Sequence, residues 1–110
     1  MAPQSPELLH GTLELLILRL VAEAPLNGYA LGRRIEELTD DALKVDEGSL
    51  YPALYRMERR GFLRSSWAKT ENNRRAKFYR ITASGRARLR AQRAEWSGFQ
   101  DAIQKILESA

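Results

Sequence analysis

Apolar positions along the chain change period several times, and each period predicts an element. From Leu13 to Ala24 they fall on almost every side of a helix: Leu13, Leu15, Leu16, Ile17, Leu18, Leu20 and Val21. Such a helix has to be covered on more than one face. That is hard within 110 residues and favours a partner chain, with Leu16 among the residues it would meet. Ser5-Pro6-Glu7 reads as a helix start, with a capping hydroxyl and Pro at the first helical position. Gly11-Thr12 either interrupts the helix or restarts it. Pro25 ends it, and Leu26-Asn27-Gly28 makes a turn. A second helix, about Gly28 to Leu38, carries the stripe Leu31, Ile35 and Leu38, with Tyr29 and Ala30 at its start. A connection follows over 39–47, with a short extended piece from Leu43 to Val45.

The third helix opens at Gly48-Ser49 and runs to about Arg60, where Gly61 stops it. Pro52 falls in its first turn, where a missing amide costs nothing. Leu50, Ala53, Leu54 and Met57 follow i, i+3, i+4, i+7 and face the core. Ser49, Tyr51, Pro52, Tyr55, Arg56 and Arg59 lie around the other side. Two tyrosines one turn apart on a polar face either pack against neighbouring elements or present a binding surface, and the pattern admits both.

After Gly61 the period becomes two. Leu63, Ser65 and Trp67 share a face, then Glu71-Asn72-Asn73-Arg74-Arg75 forms a polar turn, and Lys77, Tyr79 and Ile81 alternate with Phe78 and Arg80. This reads as a β-hairpin whose tip carries Lys69, Arg74, Arg75 and Lys77. Thr82 is a good N-cap for a last helix, Ala83 to Glu108, roughly 39 Å long. Its residues Leu89, Trp96, Phe99, Ile103 and Ile106 are spaced 7, 3, 4 and 3, a seam of the coiled-coil type. A second chain would cover that seam, or it would fold back onto the first helix. Gly98 costs about 1 kcal/mol of helix propensity and permits either a bend or a close approach. The expected fold is mainly α with a small β-hairpin. It is a winged helix-turn-helix over residues 1–82 plus a long C-terminal dimerisation helix over 83–110.

Charge sharpens this picture. Lys and Arg number 18 against 14 Asp and Glu, and residues 51–94 alone hold 13 basic and 2 acidic side chains. One contiguous basic block calls for a polyanion, nucleic acid before an anionic membrane surface, with a solvated basic face as the plain alternative. Arginine predominates in it, and guanidinium forks suit phosphate oxygens and guanine edges. The absence of cysteine and the single histidine, His10, weigh against zinc sites, disulfide frameworks and Ser-His-Asp or cysteine nucleophiles. Glu36/Glu37 and Asp40/Asp41 are adjacent carboxylates without a nucleophile or ligand set beside them, so no enzyme and no cofactor is expected. The N-terminus lacks the basic start of a signal peptide, and Leu13–Val21 is too short to span a bilayer, so a soluble cytoplasmic protein is expected. A winged helix used only for protein contacts would not need the clustered cations.

Four stretches resemble the PadR-like transcriptional regulators: Gly11-Thr12-Leu13-Glu14-Leu15-Leu16-Ile17-Leu18, Asn27-Gly28-Tyr29-Ala30-Leu31, Glu47 through Glu58, and Asn73 through Thr82. Within the third, Gly48-Ser49-Leu50-Tyr51-Pro52-Ala53-Leu54-Tyr55 is the most specific; Met57 stands where Leu is usual, a swap that conserves volume. The single last helix is similar to the family's small subgroup. The resemblance implies a homodimeric repressor on a palindromic operator of double-stranded DNA. Ser49, Tyr51, Pro52 and Tyr55 would form its recognition surface, Gly28 and Tyr29 would meet phosphate, and Arg74, Arg75 and Lys77 would be the wing contacts. Leu16, Leu89, Trp96, Phe99, Ile103 and Ile106 would lie in the dimer interface. Some members hold planar aromatic compounds between the dimer's helices, which makes Trp96 and Phe99 the candidate effector-stacking residues.

Overall fold

A computed structural model describes residues 6–109, with side chains from Thr12 onward. Helix α1 spans Pro6–Val21, strand β1 Leu26–Asn27, α2 Gly28–Leu38, α3 Glu47–Arg59, β2 Leu63–Lys69, β3 Arg75–Ile81 and α4 Ala83–Glu108. The first helix is continuous through Gly11-Thr12 and ends at Val21; the expected Ser5 cap lies outside the described residues.

Three helices meet in one core. Ile17 and Leu18 of α1, Leu31 of α2, and Leu54 and Met57 of α3 are its fully buried side chains. Leu63, Tyr79 and Leu89 close it from the strands and from α4. The chain covers α1 better than its all-round apolarity suggests. Leu13, Ile17, Leu18, Leu20 and Val21 are buried by the protein's own elements, and among the described apolar side chains of the Leu13–Val21 run only Leu15 and Leu16 stay partly exposed. The reason is geometric, since α2, α3, α4 and β3 all pack against this one helix.

Two local expectations change. Leu26-Asn27 is not a simple turn but a two-residue strand added to the hairpin, Leu26 opposite Tyr79 and Asn27 opposite Phe78, so the sheet has the order β1-β3-β2. Asn27 also caps α2, its side-chain oxygen accepting from the Ala30 amide at 2.8 Å. Leu43 and Val45 form no strand; they lean, half-buried, on the core. Before them Asp40 and Asp41 take positive φ (50° and 64°), which short polar side chains tolerate, and the Asp41 amide returns to the Glu36 carbonyl at 2.8 Å. These acids therefore terminate a helix. Gly61 (φ +84°) stops α3 and lets the Phe62 amide reach the Met57 carbonyl at 2.9 Å.

The molecule measures 57 × 33 × 21 Å because α4 projects beyond the head. Its first turns are packed: Thr82 caps it and donates to the Gly61 carbonyl at 2.6 Å, and Leu89 is only 9% exposed. From Arg93 to Glu108 every residue is exposed. Leu89 thus leaves the expected seam for the core of its own chain. The chain splits the seam this way because a seven-residue step along α4 carries it past the edge of the head. Among the described residues no helix is long and apolar enough to cross a membrane.

Candidate nucleic-acid interface

An open cleft of about 1120 Å³ lies between the N-terminus of α2, the start of α3 and the hairpin tip. Gly28 makes its floor possible. A Cβ built there would sit 2.5 Å from Cε1 of Tyr51 and 2.9 Å from its hydroxyl, so only glycine lets the Tyr51 ring lie on the helix end. Tyr51 remains 43% exposed above it, while Tyr29 and Tyr55 project further into solvent. Of the two readings of the α3 tyrosines, Tyr55 has the more open surface and carries the Arg59 guanidinium 5.7 Å from its ring centre.

The two helix starts differ electrostatically. The first turn of α2 carries no acid and its cap is the neutral Asn27. Helix α3 begins one residue earlier than expected, behind Asp46, whose carboxylate accepts from the Ser49 amide at 2.8 Å, with Glu47 next to it. A phosphate is therefore better received at Gly28-Tyr29 than at Ser49, since the acids already satisfy the α3 dipole. Ser49, Pro52 and Tyr55 do not line the cleft with Tyr51: Ser49 is half-buried and Pro52 exposed in the first turns of α3.

At the hairpin tip, Arg74 is exposed and Arg75 stacks on Trp67 at 4.9 Å. Lys69 stands directly opposite Arg75, and Arg64 opposite Arg80. Like charges in that position destabilise a hairpin, so a polyanion that relieves the repulsion gains from it. Lys77 departs from its expected role. It lines the cleft half-buried on β3, with Nζ 3.2 Å from a Glu58 carboxylate oxygen and 5.7 Å from the Tyr79 ring centre, rather than free at the tip. Strand period explains the difference: Lys77 shares its face with Tyr79, which points inward. The cleft also takes in Arg33 and Arg34, which α2's amphipathic pattern assigns to plain solvation. The available signal was the i, i+4 relation of Arg33 to Tyr29. Glu37 and Glu71 are the acids on the lining, Glu37 being tied to Arg33 at 3.5 Å.

Glu58 joins α3 to the wing. The Ser65 hydroxyl donates to it at 2.5 Å and, against the opposing effect of burial, this bond and the pairing with Lys77 hold its carboxyl below the ordinary value of 4.5. The unfolded chain therefore takes up this proton first as pH falls. The stabilisation is complete above about pH 4.5 and is lost as pH drops through the lower folded value. In urea titrations from about pH 6 to 3, Glu58→Gln is expected to flatten that part of the acid dependence. An unchanged pH profile would mean the network does not link wing and helix.

Helix, turn, recognition-type helix and wing, with a cationic cleft between them, define a winged helix-turn-helix protein. The sequence model of the Transcriptional regulator PadR-like family matches residues 17–91. A transcriptional regulator from Clostridium thermocellum superposes with a TM-score of 0.85 at 27% identity, covering 93% of this chain and 99% of that one. A PadR-like regulator from Bacillus cereus gives 0.81 at 25% identity, with 94% and 99% covered. A PadR family regulator from Eggerthella lenta gives 0.78 at 36% identity, with 94% and 88% covered. The chain belongs to the PadR-like family, whose members are DNA-binding transcriptional regulators rather than enzymes.

Proposed function

We propose that the protein is a homodimeric cytoplasmic repressor that binds a palindromic operator through a head formed by residues 1–82 and pairs through the helix of residues 83–110. The cleft carries this reading, because it gathers a helix N-terminus free of acids, Tyr51 and the wing arginines around one space. Gly28 and Tyr29 receive a backbone phosphate. Ser49, Tyr51, Pro52 and Tyr55 face base edges in the major groove, where each good contact supplies ~1–3 kcal/mol of discrimination. Arg74 and Arg75 hold the flanking backbone, and Lys77 braces the wing through Glu58. Pairing is supported by the exposed face of Trp96, Phe99, Ile103 and Ile106, which nothing in the chain covers among the described residues. The repressor sense rests on the resemblance. Trp96 and Phe99, their ring centres 6.1 Å apart and tilted by 45°, form the stacking surface for a planar aromatic effector.

Selection of bound sequences from random duplex DNA tests the reading. An inverted repeat is expected, its half-site centres roughly 34–36 Å apart or a multiple of that; recovery of no repeat would refute it. On the selected duplex, log affinity should fall against log salt by about 0.9 per phosphate contact. Arg74→Ala should lower that slope by about 1 and weaken all sequences alike. A salt-insensitive complex would exclude the electrostatic cleft.

A further inference from the structure

We propose that Glu14 sets the angle between the DNA-binding head and the α4 arm, and so determines which half-site spacing the dimer accepts. This rests on the homodimer and operator reading above. Glu14 sits on α1, yet its carboxylate gathers three side chains from elsewhere. Arg88 Nε donates to it at 3.0 Å and Gln92 Nε2 at 2.5 Å, both from α4, and Arg60 from the end of α3 lies at 3.9 Å. Arg60 and Arg88 also flank the Phe62 ring, at 5.0 and 5.4 Å from its centre. Two guanidiniums thus crowd one ring, and this carboxylate offsets their repulsion. Without it they would spread, and α4 would turn away from α3.

Some contacts at this joint fix position more than direction, while Leu89, buried in the core beside Arg88, holds the arm together with Glu14. Thr82 ties the start of α4 to Gly61 and Phe62, and Gly85 admits the Phe62 carbonyl where any side chain would collide with it. These lie at the pivot, whereas Arg88 and Gln92 lie one and two turns along the arm. Gln92 also keeps its amide oxygen buried without a side-chain or backbone partner among the described residues. Beyond Gln92 the arm runs free for about 24 Å to Glu108. A tilt of about 10° at the clamp moves its far end by about 4 Å, roughly one base-pair step. Small changes at Glu14 are therefore geared up into the separation of two recognition helices.

The test compares the full-length protein with Glu14→Gln and with Arg88→Lys, a second variant that keeps the charge and the head's core. Each is bound to duplexes carrying the selected inverted repeat with its spacer lengthened or shortened one base pair at a time. The wild type is expected to favour one spacing by tenfold or more, and both variants to flatten that preference to within about threefold while still favouring the same half-site sequence. The chain has no cysteine, so Ser66→Cys gives one spin label per protomer on the exposed wing. The label-to-label distance distribution in the free dimer should broaden in the variants. Uniformly weaker binding with the spacing preference and distance distribution unchanged would overturn the proposal and leave Glu14 a merely stabilising residue. A wild type that selects no inverted repeat would overturn the operator reading and this proposal with it.

Discussion

Phe99→Asp is expected to convert the protein to monomers and to lower its affinity for duplex DNA by about a hundredfold or more, the loss of avidity when two linked sites become one. Phe99 is 57% exposed beside Trp96, on the face that also carries Ile103. It touches none of the core formed by α1, α2 and α3, so the head should keep its thermal midpoint while the assembly fails. Burying a carboxylate in an apolar seam costs several kcal/mol unless it finds a partner. Sedimentation velocity gives the outcome directly; an undisturbed dimer would place the interface elsewhere, with the half-covered Leu15 and Leu16 of α1 the next surface to examine.

The second large effect is expected from one added methyl group. Gly28→Ala puts a carbon where Tyr51's ring already lies, with contacts of 2.5 and 2.9 Å that no rotation of an alanine can relieve. The ring must leave the end of α2, and the helix start loses the surface that positions it. Because Tyr51 is 43% exposed and meets the added carbon with the far end of its ring, it swings into solvent at little cost in stability. It then leaves the proposed recognition surface, where a contact supplies ~1–3 kcal/mol. Binding should weaken by about tenfold or more. A double-mutant cycle tests this cause, because in a Tyr51→Ala background the same substitution should cost almost nothing. If its cost persists there, Gly28 acts on phosphate directly rather than through the tyrosine.

Helix boundaries and the hairpin were legible in the chain because periodicity and capping residues fix them locally. Met57 and Leu54 lie in the core where their spacing puts them, and α4 has the bounds that Thr82 and the apolar seam predict. What could not be read was set by contacts distant in sequence. Leu89 belongs by spacing to the seam and by position to the core, and only the packing of α4 on α1 decides between them. Lys77 looks like a wing-tip cation until the register places it opposite Trp67 and within reach of Glu58, nineteen residues earlier. Arg33 and Arg34 enter the cleft because the hairpin folds across α2, which no local pattern announces. Strand β1 escaped notice for the same reason: two residues have no period, and their pairing with β3 exists only in three dimensions.

The order β1-β3-β2 leaves β2 with one unpaired side. That rim offers bare amides and carbonyls on which a neighbouring molecule could zip, the usual route to insoluble aggregates. Arg64 and Lys69 stand along it and meet Arg80 and Arg75 across the ladder, so an approaching copy brings cation against cation. These cations thereby keep the protein from adhering to itself, and exchanging Arg64 and Lys69 for threonine would trade that protection for precipitation at high concentration.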